Sequence, residues 1–197
     1  MTDSASRRAS AARQTAETDV RAELSLDGGG ESELNTGLPF FDHMLAQTAR
    51  HGGLFVRLHA KGDLHVDGHH TVEDCGIVLG QALEKALGDK SGIARFGSAF
   101  APLDESLSRA VVDLSGRPSL SYHANLARPN IGGMDAELLR EFFQALTNHA
   151  KLTLHLDLLR GINAHHQAES MFKAFGLALK MAAAKTGGGL PSTKGVL

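Results

Sequence analysis

Two five-residue segments carry the chemistry of this chain: HHTVE, starting at His69, and HHQAE, starting at His165. In each, a histidine and a glutamate stand four residues apart (His69 and Glu73; His165 and Glu169), which on a helix puts both on one face, one turn apart. An imidazole nitrogen and a carboxylate oxygen then reach one cation, while the adjacent histidine, His70 or His166, points to a second metal or to a substrate. Taken singly, such a segment reads as a polar helix start with a glutamate near the positive end of the dipole. Its occurrence twice, in register within a repeat, favours metal binding. His43 adds an imidazole, and its repeat-equivalent residue is Glu141, which is either a ligand or a solvated helix residue. The donor set is His43, His69, His70, Glu73, Glu141, His165, His166 and Glu169, all nitrogen and oxygen. Such a set suits manganese, iron or another six-coordinate divalent ion better than structural zinc.

A second set suits phosphate. Arg95 in ARFG, Arg117 in SGRP, Lys173 one turn after Glu169, and Ser192, Thr193 and Lys194 in the tail PSTKG place basic or hydroxyl groups beside glycines or helix starts. Arginine grips a phosphate bidentately and lysine acts as a point charge. Lys173 is the most informative, because its helical position sets it beside the metal face.

The elements that must position these groups come in two similar sets. An offset of 98 residues aligns His51 with His149, Leu54 with Leu152, Val56 with Leu154 and Leu58 with Leu156. An offset of 96 aligns His69-His70 with His165-His166, Glu73 with Glu169, Gly80 with Gly176 and Leu83 with Leu179. More loosely, RAELSLDG from Arg21 matches RAVVDLSG from Arg109. The chain therefore reads as a duplicated unit. Period-two alternation at Val20, Ala22, Leu24 and Leu26 predicts a strand, as it does at Leu54 to Leu58, Leu120 to Leu126 and Leu152 to Leu158. Helical spacing predicts helices over Pro39 to Arg50 and Asp135 to Ala150, the latter with Asp135 as N-cap. Longer helices are predicted from His69 to Leu87, closed by Gly88, and from His165 to about Lys185, closed by Gly187. Their one-sided apolar stripes imply an α+β class with helices on one face of each sheet. The expected divisions are a disordered lead-in over 1–13, halves over 14–92 and 93–186, and a substrate-binding tail over 187–197.

Composition removes several alternatives. The chain has 197 residues, 42% hydrophobic, with 11 histidines and one cysteine, Cys75, which excludes an internal disulfide and a thiolate metal cluster. Twenty basic against 22 acidic residues leave no general basic face for nucleic acid or a membrane surface. The first residues lack the apolar stretch of a secretory signal and no segment is apolar enough to span a bilayer, so a cytoplasmic location is expected.

FFDHML, DGHHTVEDCGIVLGQAL, RFG, LDES, DLSGRP, TLHL, NAHHQAESMFKAF and the PSTKG tail together resemble the imidazoleglycerol-phosphate dehydratase family, from about Thr15 to Gly195. The resemblance implies two halves of the ribosomal-protein-S5-domain-2 type. It also implies a 24-mer built from trimers with shared active sites, two Mn²⁺ ions per site and a phosphorylated imidazole substrate. The implied reaction is loss of water from the glycerol chain to give imidazoleacetol phosphate, within histidine biosynthesis. The metals act as template and charge stabiliser, and the glutamate of RQTAET, Glu17, moves protons. Glu73 and Glu169 complete the implied catalytic set. Glu17, His43, Gln47, His51, His69, Arg95, Arg117, His165, Lys173, Ser192, Thr193 and Lys194 would hold the substrate. The family commonly has histidine where Glu141 stands. Two other classes fit parts of the pattern. A metal-delivery protein would cluster its histidines in tails or tracts, and a metal-dependent phosphoesterase would use the same metals and basic residues but release phosphate.

Overall fold

The computed structural model describes residues 7–193 and Gly195. The first half runs β1 (Arg8–Gln14), β2 (Thr18–Ser25), β3 (Glu33–Asn35), α1 (Pro39–Gly52), β4 (Phe55–Gly62) and α2 (His69–Leu87). The second runs β5 (Phe96–Leu103), β6 (Ser106–Asp113), β7 (Ser119–His123), a short hairpin β8 (Asn130–Ile131) and β9 (Met134–Asp135), α3 (Leu138–Ala150), β10 (Thr153–Arg160) and α4 (Ala164–Ala182). The sheets have orders β1-β2-β4-β3 and β5-β6-β10-β7. In each, the first three strands pair antiparallel and the last joins in parallel. The duplication legible in the residues is thus a duplication of topology, with α1 equivalent to α3 and α2 to α4. No helix among the described residues is long and apolar enough to cross a membrane.

Alternation sets the inner faces. Val20, Ala22 and Leu24 of β2 and Ser108, Ala110 and Val112 of β6 are buried, while Arg21 and Arg109 between them are exposed. The helices cover those inner faces and pack across the halves, α1 on α4 and α2 on α3. Phe41, Phe142, Phe143, Phe172 and Phe175 fill the centre, with ring contacts such as Phe143 to Phe172 at 4.9 Å. Truncating one of these to alanine would cost about 3–5 kcal/mol. Glycines set the helix spacing. A Cβ on Gly80 would lie 2.8 Å from the Leu146 carbonyl oxygen, and one on Gly176 would lie 2.7 Å from that of Thr48. These are the same contact made twice, once in each helix pair.

The structure departs from the sequence reading at four places. Residues 8–13, expected in a disordered lead-in, belong to edge strand β1, which pairs along its whole length with β2, so the first half begins before residue 14. Asp135 does not cap α3. It lies in β9 and accepts from the Asn130 side chain, and the helix starts three residues later without a side-chain cap. Helix α4 ends at Ala182 rather than Lys185, and the chain turns there because Lys185 bridges to Ile93. The strand expected through Leu126 stops at His123, followed by the loop that leads to β8.

Candidate metal centre

Helices α1 and α4 lie side by side with their N-terminal turns together, so a ligand from each half reaches the same point. His43 Nε2 and His165 Nε2 stand 3.0 and 3.1 Å from the same oxygen, Glu169 Oε2. Lys173 Nζ sits 2.6 Å from Oε1. One potential ligand atom from each of His43, His165 and Glu169 falls within 4.8 Å of the others, a spacing that suits a shared cation. Burial would raise the Glu169 carboxyl, but hydrogen bonds from Lys173, His43 and His165 outweigh it and hold it below the ordinary range. The residues one and two turns farther along α1, Gln47 and His51, lie on the same face as His43. The His51 imidazole is pushed down by burial first, then by the charges of Lys173 and Arg50.

The cap that starts α4 aims its histidines. Asn163 Oδ1 accepts from the His165 and His166 amides at 2.9 and 3.4 Å. In α2, Asp67, the equivalent residue, accepts from the His69 amide at 2.7 Å. Each second histidine turns its Nδ1 to a carboxylate: His70 to Asp63 at 3.0 Å and His166 to Glu105 at 2.8 Å. Those hydrogen bonds are the main reason that both imidazoles are raised above their ordinary values. Glu105 is driven far down by the Asn163 amide, then His166, then the Ile162 amide. Neither Asp63 nor Glu105 stands out in the sequence, because each belongs to a turn remote along the chain from its histidine. Glu17 lies 3.7 Å from His70 Nδ1 and joins Asp63 and His70 in a second three-residue group.

The counterpart of the α1–α4 centre does not close. His69, Glu73 and Glu141 form no such three-residue group among the described residues, and Glu141 instead pairs with Arg140 at 3.2 Å. The two centres differ in their residues: where α1 carries His43, α3 carries Glu141.

Arg95 and Arg117 do come together, around Asp113. Arg95 Nε is 2.7 Å from Asp113 Oδ1 and Arg117 reaches Oδ2 at 3.8 Å. A second Arg95 nitrogen donates to the Pro191 carbonyl at 2.8 Å, which ties the tail bearing Ser192 and Thr193 to this corner. Lys194 lies outside the described residues. Arg95 has φ 71°, a left-handed conformation costing about 1–2 kcal/mol that the surrounding contacts enforce. This corner is not beside Lys173. The Arg95 amide bonds to Ala182 at the far end of α4, thirteen residues or about 20 Å along the helix from Glu169.

A cleft of about 350 Å³ adjoins the metal-facing groups, lined by Arg128, Asn130, Ile162, Asn163 and His165. A hollow of about 970 Å³ on the outer face of the first sheet contains none of the expected ligands.

Comparison with known proteins identifies the family. Residues 36–179 match the family model described as imidazoleglycerol-phosphate dehydratase. The chain is 59% identical over 196 residues to the imidazoleglycerol-phosphate dehydratase of Halorhodospira halophila, covering 98% of this chain and 100% of that one. It is 58% identical over 194 residues to that of Bordetella petrii, covering 97% and 100%. The crystal structure of imidazoleglycerol-phosphate dehydratase from Staphylococcus aureus superposes with TM-score 0.81 at 42% identity, covering 90% of this chain and 99% of that one. The enzyme from Pyrococcus furiosus, in complex with (S)-C348, superposes with TM-score 0.83 at 38% identity, covering 94% and 99%. By its repeated histidine–glutamate frame, its topology and these likenesses, the chain belongs to the imidazoleglycerol-phosphate dehydratase family of hydro-lyases.

Proposed function

We propose that the chain dehydrates imidazoleglycerol phosphate to imidazoleacetol phosphate in histidine biosynthesis, with two Mn²⁺ ions per site, in the cytoplasm. The observation that carries this reading is the convergence of His43, His165 and Glu169 from opposite halves, a nitrogen–oxygen donor set suited to a six-coordinate divalent ion. His69, His70, Glu73, His166 and Glu141 supply the remaining donors. Metal ions held by these residues would supply positive charge to stabilise the negative charge that the substrate's imidazole ring would gain.

The chain's own residues do the rest. Glu17, on an exposed turn, removes the proton from the middle carbon of the glycerol chain as the hydroxyl beside the ring departs as water. The resulting enol loses its hydroxyl proton and gains one at the ring-side carbon, which gives the ketone. The turn is held firmly beneath Glu17: the amides of Glu17 and Thr18 both donate to Thr15 Oγ1, and the Thr18 hydroxyl and Arg13 both donate to buried Asp74 on α2. Lys173 holds Glu169, and Gln47 and His51 border the substrate's hydroxyls.

Along α4, Glu169 and Ala182, whose carbonyl takes the Arg95 amide, lie about 20 Å apart, more than the length of a three-carbon phosphate ester. That separation supports sites completed by neighbouring subunits, as in a 24-mer built from trimers. Exposed Phe96, Phe100, Leu159 and Ile162 supply apolar surface for such contacts.

Incubating the protein with MnCl₂ and imidazoleglycerol phosphate tests the reading: ketone forms without release of phosphate. Free phosphate instead would identify a phosphoesterase, and neither product would leave metal delivery. Glu17→Gln should fold and bind manganese but turn over about 10² to 10⁴ times more slowly. Sedimentation of the native protein measures the assembly size.

A further inference from the structure

The two halves hold their second histidines with different residues. The offset of 88 that relates Arg21 to Arg109 also relates Glu17 to Glu105 and Thr18 to Ser106, so the two glutamates occupy equivalent turns, β1–β2 and β5–β6. Each faces the second histidine of its own half. Glu105 is fully engaged: Oε1 accepts from the Ile162 and Asn163 amides at 3.0 and 2.8 Å and from the Ser106 hydroxyl at 3.1 Å, and Oε2 lies 2.8 Å from His166 Nδ1. Glu17 is loose, 3.7 Å from His70 Nδ1 with its side chain 55% exposed.

Asp63 accounts for the difference. Its Oδ2 lies 3.0 Å from His70 Nδ1, the place that Glu105 takes against His166. At the offset of 98, the residue equivalent to Asp63 is Gly161. A Cβ there would lie 2.3 Å from Ser106 Oγ and 2.7 Å from Gln167 Cγ, so the second half has no room for an aspartate at that position.

We infer that Asp63 and Glu105 are the positioning residues of His70 and His166, and that Asp63, by taking over the holding of His70, leaves Glu17 free for proton transfer. A neutral imidazole carries one N–H; a carboxylate that accepts it at Nδ1 leaves the Nε2 lone pair to bind a cation. One ancestral turn thus yields a holder in the second half and a reagent in the first. The inference rests on the proposed reading for the identity of the cation and for the role of Glu17.

The test uses manganese alone. Asp63→Asn and Glu105→Gln keep the side-chain shape but remove the negative charge that holds the imidazole proton on Nδ1: a neutral amide oxygen accepts it more weakly, and in Glu105→Gln, whose oxygen stays with the Ile162 and Asn163 amides, the NH₂ faces Nδ1 and puts the proton on Nε2. Titration of the metal-free proteins with MnCl₂, followed by electron paramagnetic resonance, should show affinity lowered by about tenfold to a hundredfold at one class of site in each variant. Glu17→Gln should bind manganese as the parent does. Thermal melting of the metal-free proteins establishes that they are folded. Should Glu105→Gln fail to fold because the Ile162 and Asn163 amides lose their acceptor, Asp63→Asn decides alone. Parental affinity in Asp63→Asn, or an equal loss in Glu17→Gln, overturns the inference. No substrate is present, so this result is separate from whether the parent protein dehydrates imidazoleglycerol phosphate.

Discussion

Replacing Gly176 with alanine tests whether helix spacing sets the metal centre. The new Cβ would stand 2.7 Å from the Thr48 carbonyl oxygen and 3.1 Å from the Gly52 nitrogen, both backbone atoms of α1. Backbone cannot rotate away as a side chain can, so α1 and α4 must part by about half an ångström to restore ordinary contact. Overpacking against backbone costs about 2–3 kcal/mol, and alanine returns about 1 kcal/mol of helix propensity, for a net loss of about 1–2 kcal/mol. In a domain of this size the melting midpoint falls by about 2–8 °C. The same separation acts on His43, on α1, against His165 and Glu169, on α4, whose contacts are now 3.0 and 3.1 Å. Metal ligands tolerate about 0.2 Å of error, so manganese affinity at this centre should fall by about tenfold or more. Calorimetric melting of the metal-free protein and manganese titration measure the two effects. Gly176→Ala with parental melting and parental manganese affinity would refute the reasoning. Gly80→Ala, which parts α2 from α3 by the same contact, is the matched control and should leave the α1–α4 centre intact.

Arg95→Ala removes both the pair with Asp113 and the tie to the Pro191 carbonyl, and steady-state kinetics should show KM raised by about tenfold or more, with kcat less affected. Cys75 is fully buried and its thiol is pushed far up by burial, so a disulfide reagent such as DTNB should leave it unmodified in the native protein and label it only after unfolding. The metal-free protein should show a stability maximum on the acid side of neutrality. His166 is raised by Glu105, so its contribution is complete below about pH 6.5 and is lost as pH rises through the raised value. Glu105 is lowered, so its contribution is present above about pH 4.5 and is lost as pH falls. Melting across that interval should flatten in Glu105→Gln; an unchanged profile would contradict the assignment.

What could be read from the residues was what repeats. The pairing of His69 with Glu73 and of His165 with Glu169, the strands at Val20 and Leu152, and the long helices are local patterns of period two or 3.6, and each appears twice. Strand β1 was hidden because RASAARQ buries only Ala11 and carries its pairing in backbone groups that composition does not reveal. Strand β5 was hidden because FGSAFAPL points Phe96 and Phe100 outward, 58% and 59% exposed, against the usual sense of alternation. Asp63 and Glu105 were missed because a residue that holds a histidine from another element leaves no spacing signal. The unclosed His69–Glu73–Glu141 group is a matter of tertiary placement, which alignment of the repeat does not fix.

The crosswise packing of the helices also bears on how the protein reaches its working state. The α1–α4 pair joins a helix near the start of the chain to one near its end, and α2–α3 spans the junction between the halves. A chain with only one half folded holds neither pair, and therefore no ligand cluster drawn from both. These contacts close long loops, which makes them slow to form. Metal uptake at the α1–α4 centre, if the proposed function holds, would accordingly report completion of the whole fold, because a nascent chain still lacking α4 does not have His165 or Glu169.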